Sequence, residues 1–519
     1  MGSLQPMTPP PDGLSYSRPS PSQAAADAIP ILVDDVYHVF HLITPPYTRH
    51  HPPRLRSSWS RIRSTDLVSW ERDPAPALVP SRDETAPDAD GVWTGAAVMA
   101  PNGCMSIFYT GYCLAQGGKQ VILRAESTDR HGSVFSQPGT QITIDGESLA
   151  GFEDIDFRDP YVFYNEEENR YWMLVATRLS SGPHWTRGCI ALLTSNDLDH
   201  WVVEPEPLYS PNDMLCPECP ELFTLGNGKW YLVYSRFHAP NQGTVYRIAD
   251  SPRGPFRIPR DGSHGRLDGR RWYAAKSCPK AGDASKRVFF GWLGDYVDEE
   301  GKWLWGGDMG VPREVSADAE GNLSISLAPK VREHIEQTYL PLPKANGLGH
   351  DLSLSALGTT TTMHSSLVCN SQDICVSFNI LKSDAHSFGM LLQADDNGKA
   401  FKLQIAPAES GRYTVSLLTD LPPLDDFWAD QYKLYLPRPV DGPELVRHDS
   451  LDLRDGVVVL LKGQTVQAFC GGRSISFRLP AQKPHGVFAP AAPFGWFVED
   501  GNVQLANLAI RCAGVKSAV

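Results

Sequence analysis

A chain of 519 residues exceeds what one hydrophobic core organises, so two or three domains are expected. With 41% hydrophobic and 21% charged residues, and no apolar run near the roughly 18 residues of a membrane span, the composition is that of a soluble globular protein. A net charge of −13 without Lys/Arg-rich blocks argues against nucleic acid or anionic lipid as a partner and for a neutral or weakly charged small molecule or oligosaccharide, taken by a monomer or a homodimer.

The first segment, residues 1–22, is rich in Pro and Ser and has neither a basic start nor an apolar stretch. It reads as a flexible tail and not as a secretory leader, which gives a cytosolic expectation. From residue 23 to 340 the chain repeats itself. Runs rich in aromatic and β-branched residues start at Val36 (VYHVFHL), Met105 (MSIFYTGY), Tyr171 (YWMLVATR), Trp230 (WYLVYSRF) and Val288 (VFFGWLGDY), 58 to 69 residues apart. A turn-like motif keeps step with the first four: STDLVSW at Ser64, STDRHGSVF at Ser127, SNDLDHW at Ser195 and ADSPRGPF at Ala249. Short antiparallel strands in a near-regular repeat predict an all-β fold, a five-bladed β-propeller over 23–340, with a large sandwich of evenly spaced strands as the alternative. No helical periodicity stands out. From 341 to 519 the texture changes to period-two segments such as DICVSFNIL, FKLQIAP and NVQLANLAIR, which predict a C-terminal β-sandwich beyond a boundary near KANGLGHD (344–351).

Upstream of each aromatic run lies a further strand, beginning at Asp27, Thr94, Asp159, Glu218 and Tyr273. A propeller's innermost strands line its axis, so these residues are expected in one slot around one cavity. Burying Asp27, Asp159 and Glu218 together is costly, and three nearby carboxyls suit glycoside chemistry, with a nucleophile and a proton donor. Arg158 is placed to pair with one of them, Cys219 adjoins Glu218, and Trp93, Thr94, Tyr273 and Lys276 are expected to line the pocket, the aromatic rings offering flat faces.

Ten cysteines are too scattered for a disulfide framework and are expected to be reduced and mostly buried. Cys216 and Cys219 lack the second pair of ligands that zinc would need and the βαβ setting of a redox motif, so neither metal nor cofactor is expected. Asp154 and Asp156 read as loop-solvating or supporting groups, His184 and Trp185 as a rim loop, and DYVDEEGK (295–302) as a solvated turn.

At these residues the sequence resembles the invertase and fructan hydrolase group, glycoside hydrolase families thirty-two and sixty-eight. FRDPYVF (157–163) is similar to that group's Arg-Asp-Pro motif, CPECPELF (216–223) to its Glu-Cys motif, GVWTGAAV (91–98) to its Ser-Gly-Ser-Ala-Val motif and GVPREV (310–315) to its Pro-Arg-Glu stretch. The resemblance implies a retaining enzyme with Asp27 as nucleophile, Glu218 as acid/base and Asp159 stabilising the transition state, acting on a furanoside such as a β-fructofuranoside. It departs at the first blade, where AAADAIPILV keeps Asp27 but lacks the group's neighbouring Asn and Trp residues. Two alternatives therefore stand beside it: a glycosidase-like scaffold recruited to secondary-metabolite biosynthesis for a non-hydrolytic step such as a hetero-Diels–Alder cyclisation, and a sugar-binding protein without turnover.

Overall fold

The computed structural model describes residues 18–49, 55–145, 149, 151–237, 242–294, 304–341, 351–364, 373–393, 400–419, 444–479 and 494–513. Five antiparallel sheets follow one another in chain order, the blades of a propeller. Blade 1 is Ala26–Val33, Val36–Ile43, Ser58–Ser64 and Glu71–Arg72. Blade 2 is Gly91–Met99, Met105–Cys113, Lys119–Glu126 and Thr140–Gln141. Blade 3 is Phe152–Asn165, Arg170–Leu179, Gly188–Ser195 and His200–Val203, with Thr143–Asp145 added in parallel at its outer edge. Blade 4 has Glu218–Thr224, Trp230–Arg236 and Gly243–Ala249, its outer edge reduced to bridges such as Ile248 with Arg257. Blade 5 is Trp272–Lys280, Asp283–Gly294, Arg313–Ala317 and Leu323–Leu327. The ring closes where Ala25 and Gly307 exchange backbone hydrogen bonds of 2.9 and 2.8 Å.

The repeated turn motif has a physical basis. In blade 1 the Ser64 hydroxyl accepts the Leu67 N–H at 2.8 Å, and Asp66 Oδ1 accepts those of Val68 and Ser69. Leu67 takes a left-handed φ of 66°, and Trp70 Nε1 caps its carbonyl at 3.2 Å. Blade 3 repeats this with Ser195, Asp197, Leu198 (φ 71°) and Trp201. Side-chain oxygens that satisfy local N–H groups favour a turn over continued pairing. Both motifs sit between the third and fourth strands of a blade, as expected for turns between outer strands.

Residues 18–22, assigned from sequence to a flexible tail, are tied down: Arg18 pairs with Asp308 at 2.8 Å and the Ser22 carbonyl accepts the Tyr47 N–H. The rest of that expected tail, the segment 295–302 and all of the expected boundary except Asp351 lie outside the described residues. A helix not foreseen from the sequence, Pro329–Thr338, follows blade 5. Only Val331 and Ile335 of it are buried, one helical turn apart, and two apolar residues among charged ones are too weak a signal for periodicity to register. The described cysteines are thiols, and all but Cys104 are buried.

The C-terminal sandwich is organised by one long strand, Phe494–Cys512. Its first half pairs with Ser387–Leu392 and its second with Asp373–Ser383, so it crosses between two layers around a core that includes Val376, Met390, Leu403, Val459 and Trp496. Blade 5 docks on it through Arg313 of the GVPREV stretch. That guanidinium, fully buried, lies 4.0 Å over Trp272, pairs with the equally buried Asp268 at 2.6 Å and donates to Ser476 Oγ at 2.7 Å. Asp268 also accepts the Ser474 hydroxyl and the Ser476 N–H, both at 2.8 Å.

Candidate active site

Every innermost strand breaks register at the same place, with shifts between Ala26 and Ala28, Val92 and Gly95, Arg158 and Tyr161, Glu218 and Glu221, and Tyr273 and Lys276. These are β-bulges, which re-aim side chains at the cost of local pairing. Four bulge residues take left-handed φ values: Asp27 (31°), Asp159 (57°), Cys219 (52°) and Ala274 (46°). Non-glycine residues seldom adopt these angles, and such strain gathers at functional sites. In blade 2 the bulge holds Trp93 and Thr94, followed by Gly95, where a Cβ would stand 1.8 Å from the Phe108 carbonyl oxygen.

The bulge corrects the expected slot. Asp27 and Asp159 share it with Cys219 and Ala274, whereas Glu218 and Tyr273 stand one residue earlier, level with Arg158. Counting from strand starts misplaces them because it cannot see the extra residue. The three carboxylates nevertheless meet, because adjacent positions on neighbouring bulged strands face the same axial space.

Asp27 receives Thr94 Oγ1 on Oδ2 at 2.6 Å and Trp292 Nε1 on Oδ1 at 2.9 Å. Burial pushes its carboxyl up to about 6 against the pull of these two donors, and the negative charges of Asp159 and Glu218 add to the rise. Asp159 Oδ2 accepts the Cys219 N–H at 2.9 Å, and the Asp159 N–H donates to Thr110 Oγ1 at 2.8 Å. The Cys219 thiol lies between two carboxylates, 3.6 Å from Asp159 Oδ2 and 4.0 Å from Asp27 Oδ2. Burial, reinforced by both carboxylates, raises it well above the ordinary thiol value, so it stays protonated and donates weakly. Glu218 accepts Arg158 Nη2 on Oε1 at 2.9 Å and the Tyr273 hydroxyl on Oε2 at 2.5 Å. A guanidinium and a phenol hydroxyl thus fix one acid, and a hydroxyl and an indole N–H hold the other.

The remaining sequence candidates are here too. Lys276 is buried, spans the axis from blade 5 and donates to the Gly95 carbonyl at 2.8 Å, next to Thr94. Trp93 is half-buried and stacks on Tyr112 with ring centres 4.4 Å apart and planes 16° from parallel. Asp154 is exposed and pairs only loosely with Lys119, at 3.2 Å, whereas Asp156 bonds Arg158 and Arg178. His184 and Trp185 pack edge to face, with His184 exposed and close to Arg178.

Sequence reasoning missed Trp292, Thr110 and Glu221. Trp292 lies opposite Tyr273 in register, so aligning second strands as well as first ones was the available signal. Glu221 is wholly buried and accepts the Ser277 N–H at 2.9 Å, its hydroxyl at 2.6 Å and Arg287 Nη2 at 2.9 Å, clasping blade 4 to blade 5.

Residues 28–326 match the N-terminal domain of the glycosyl hydrolases of family 32, more than half of the chain. The chain belongs to that family. Among its relatives, an insoluble isoenzyme of β-fructofuranosidase from Arabidopsis thaliana is 23% identical over 441 residues, covering 75% of this chain and 73% of that protein. A fructan 6-exohydrolase of Triticum aestivum is 27% identical over 335 residues, and there the chain spans about half the relative's length (52%, against 56% of this chain). The fold is that of fructan 1-exohydrolase IIa from Cichorium intybus, with a TM-score of 0.67 at 18% identity over 98% of both chains. An exo-inulinase from Aspergillus awamori superposes equally, with a TM-score of 0.67 at 17% identity over 96% of this chain and 98% of that one.

Proposed function

We propose that this family 32 protein is a β-fructofuranosidase that cleaves or transfers a β-fructofuranosyl unit with retention of configuration. The observation that carries the reading is the meeting of Asp27, Asp159 and Glu218 on bulges of three blades, each carboxyl held by a different set of donors. In this reading an Asp27 oxygen attacks the anomeric carbon while Glu218 gives its proton to the departing glycosidic oxygen. Water or another hydroxyl then releases the sugar, its proton returning to Glu218. Asp159, anchored by the Cys219 N–H, faces the sugar and the charge that develops on it. The names of relatives, β-fructofuranosidase, fructan exohydrolase and levanase, support a fructoside as substrate.

The test is sugar release from sucrose, inulin-type and levan-type fructosides by the native chain and by Asp27→Ala, Asp159→Asn and Glu218→Gln. Each variant is expected to lose about 10²-fold or more. Turnover unaffected by Asp27→Ala and Glu218→Gln would refute the reading.

A second reading draws on the first blade, where Ala25, Ala26, Ala28 and Ile29 surround Asp27 with buried apolar side chains that offer no donor to a sugar hydroxyl. It assigns the channel a non-sugar substrate, oriented for a non-hydrolytic biosynthetic step such as cyclisation. Activity on such a substrate that survives Asp27→Ala is its signature.

A further inference from the structure

Arg158 hydrogen-bonds Glu218 through one of its three nitrogens, and a second is bonded elsewhere. Nη2 donates to Glu218 Oε1 at 2.9 Å, and Nε lies 3.9 Å from Asp159 Oδ2. Nη1 points away from both, donating to Asp156 Oδ1 at 3.1 Å and to Gln120 Oε1 at 3.2 Å. Gln120 closes a small ring by donating Nε2 to the same Asp156 oxygen at 3.2 Å. The other Asp156 oxygen forms an ion pair with Arg178 Nη2 at 2.7 Å, and Arg178 also pairs with Glu153 at 2.6 Å. Gln120 comes from the third strand of blade 2. Asp156 comes from the stretch 153–156, which a register break between Phe152 and Phe157 lifts out of the blade 3 ladder. Two blades therefore grip one guanidinium from behind. Burial opposes the charge on Asp156, but Arg158 and Arg178 hold its carboxyl below the ordinary value, so it is an anion.

We propose that Asp156, with Gln120, is a positioning residue for Glu218: it fixes Arg158 so that a single N–H reaches the Glu218 carboxyl, and it balances the charge of that guanidinium. The inference rests on the acid/base role proposed above for Glu218. An arginine that offered both Nη groups to Glu218, with no counter-anion behind it, would favour the carboxylate and leave a poor proton donor. The single contact, with Asp156 as counter-anion, keeps Arg158 as an orienting group without that penalty.

The experiment compares Asp156→Asn, Asp156→Glu and Gln120→Met with the native chain by two readouts. One is the ¹³C NMR titration of the Glu218 carboxyl, assigned by its absence in Glu218→Gln; the other is the pH profile of fructoside cleavage. In Asp156→Asn the Glu218 titration midpoint is expected to fall by about one unit. The basic limb of kcat/KM should move with it, kcat on that limb should fall about tenfold, and KM should change by less than about threefold. Asp156→Glu should restore most of the shift. Gln120→Met, which removes a neutral anchor from the same nitrogen, should move the midpoint in the same direction, and it decides the matter if Asp156→Asn does not fold. A midpoint in the variants equal to the native one overturns the proposal, whether the rate is unchanged or lowered, because a merely structural role would cost rate without moving the titration. If the native chain cleaves no fructoside, the catalytic reading fails, and the titration still decides whether Asp156 and Gln120 position Glu218.

Discussion

Asp27 is an expensive residue to keep, and replacing it should stabilise the protein. Its carboxyl has an ordinary value of 3.8 and is pushed up to about 6 in the folded chain, first by burial and then by Asp159 and Glu218. Below about pH 4 it is protonated whether the chain is folded or not, and folding is indifferent to it. As pH rises from 4 to 6 the unfolded chain loses the proton while the native chain holds it, so stability is lost across that window and stays lost above it. At 1.36 kcal/mol per unit, a rise of about 2 units corresponds to roughly 3 kcal/mol at neutral pH. Asp27→Asn removes the charge and keeps the shape. Asparagine accepts a left-handed φ such as the 31° found here, and its amide can still bond Thr94 Oγ1 and Trp292 Nε1. Urea denaturation at pH 7.5 and at pH 4 is the assay. The variant should gain up to about 3 kcal/mol at pH 7.5, reduced by any loss in hydrogen-bond quality, and the gain should shrink toward zero at pH 4. A variant no more stable than the native chain at pH 7.5, or a difference independent of pH, would refute the claim that the site holds Asp27 against its preferred ionisation.

Three further outcomes follow from other parts of the molecule. Because a nucleophile must be ionised and Asp27 titrates near 6, kcat/KM for fructoside cleavage should fall below about pH 6 by roughly tenfold per unit, measured as a pH–rate profile at substrate concentrations far below KM. Arg313→Met should cost about 3–5 kcal/mol in denaturant unfolding, because it leaves the Asp268 carboxylate buried between propeller and sandwich without its partner. Gly95→Ala should abolish activity and lower the melting temperature by several degrees, since its Cβ would stand 1.8 Å from the Phe108 carbonyl oxygen and would push Thr94 off Asp27.

What the sequence made legible followed from repetition. Runs such as VYHVFHL and WYLVYSRF are continuous because the second strand of each blade is buried on both faces, and five of them in step fix the blade number. The serine and aspartate turns were legible because their side chains do the hydrogen bonding locally, which needs the same residue types each time. The bulges were not legible. Their defining residues are Asp, Trp-Thr, Asp, Cys and Ala, with no shared chemistry, because what they share is an extra residue in the backbone ladder and not a side chain. That is why Glu218 and Tyr273 were assigned one position out of register while the residues themselves were found. Trp292 escaped for a different reason: it lies in a hydrophobic strand where its polar tip is invisible until its partner, Asp27, is known.

The cost of the site bears on what it does. A scaffold needing only shape at its axis would fill the space with apolar side chains, as this one does next to Asp27 with Ala26, Ala28 and Ile29. Instead it retains a carboxyl whose ionisation is resisted by its surroundings, bends two of its three carboxylate-bearing strands through left-handed aspartates, and turns Cys219 through the same angle to aim a backbone N–H at Asp159. Each departure is of the kind that persists when the strained group is itself needed. A binding protein without turnover would gain stability by replacing Asp27 with asparagine while keeping every hydrogen bond to a sugar that an amide can make. The aspartate is therefore an argument for chemistry at this position, and it is one that the Asp27→Asn protein can weigh directly, by comparing its gain in stability with its loss of turnover in the same preparation.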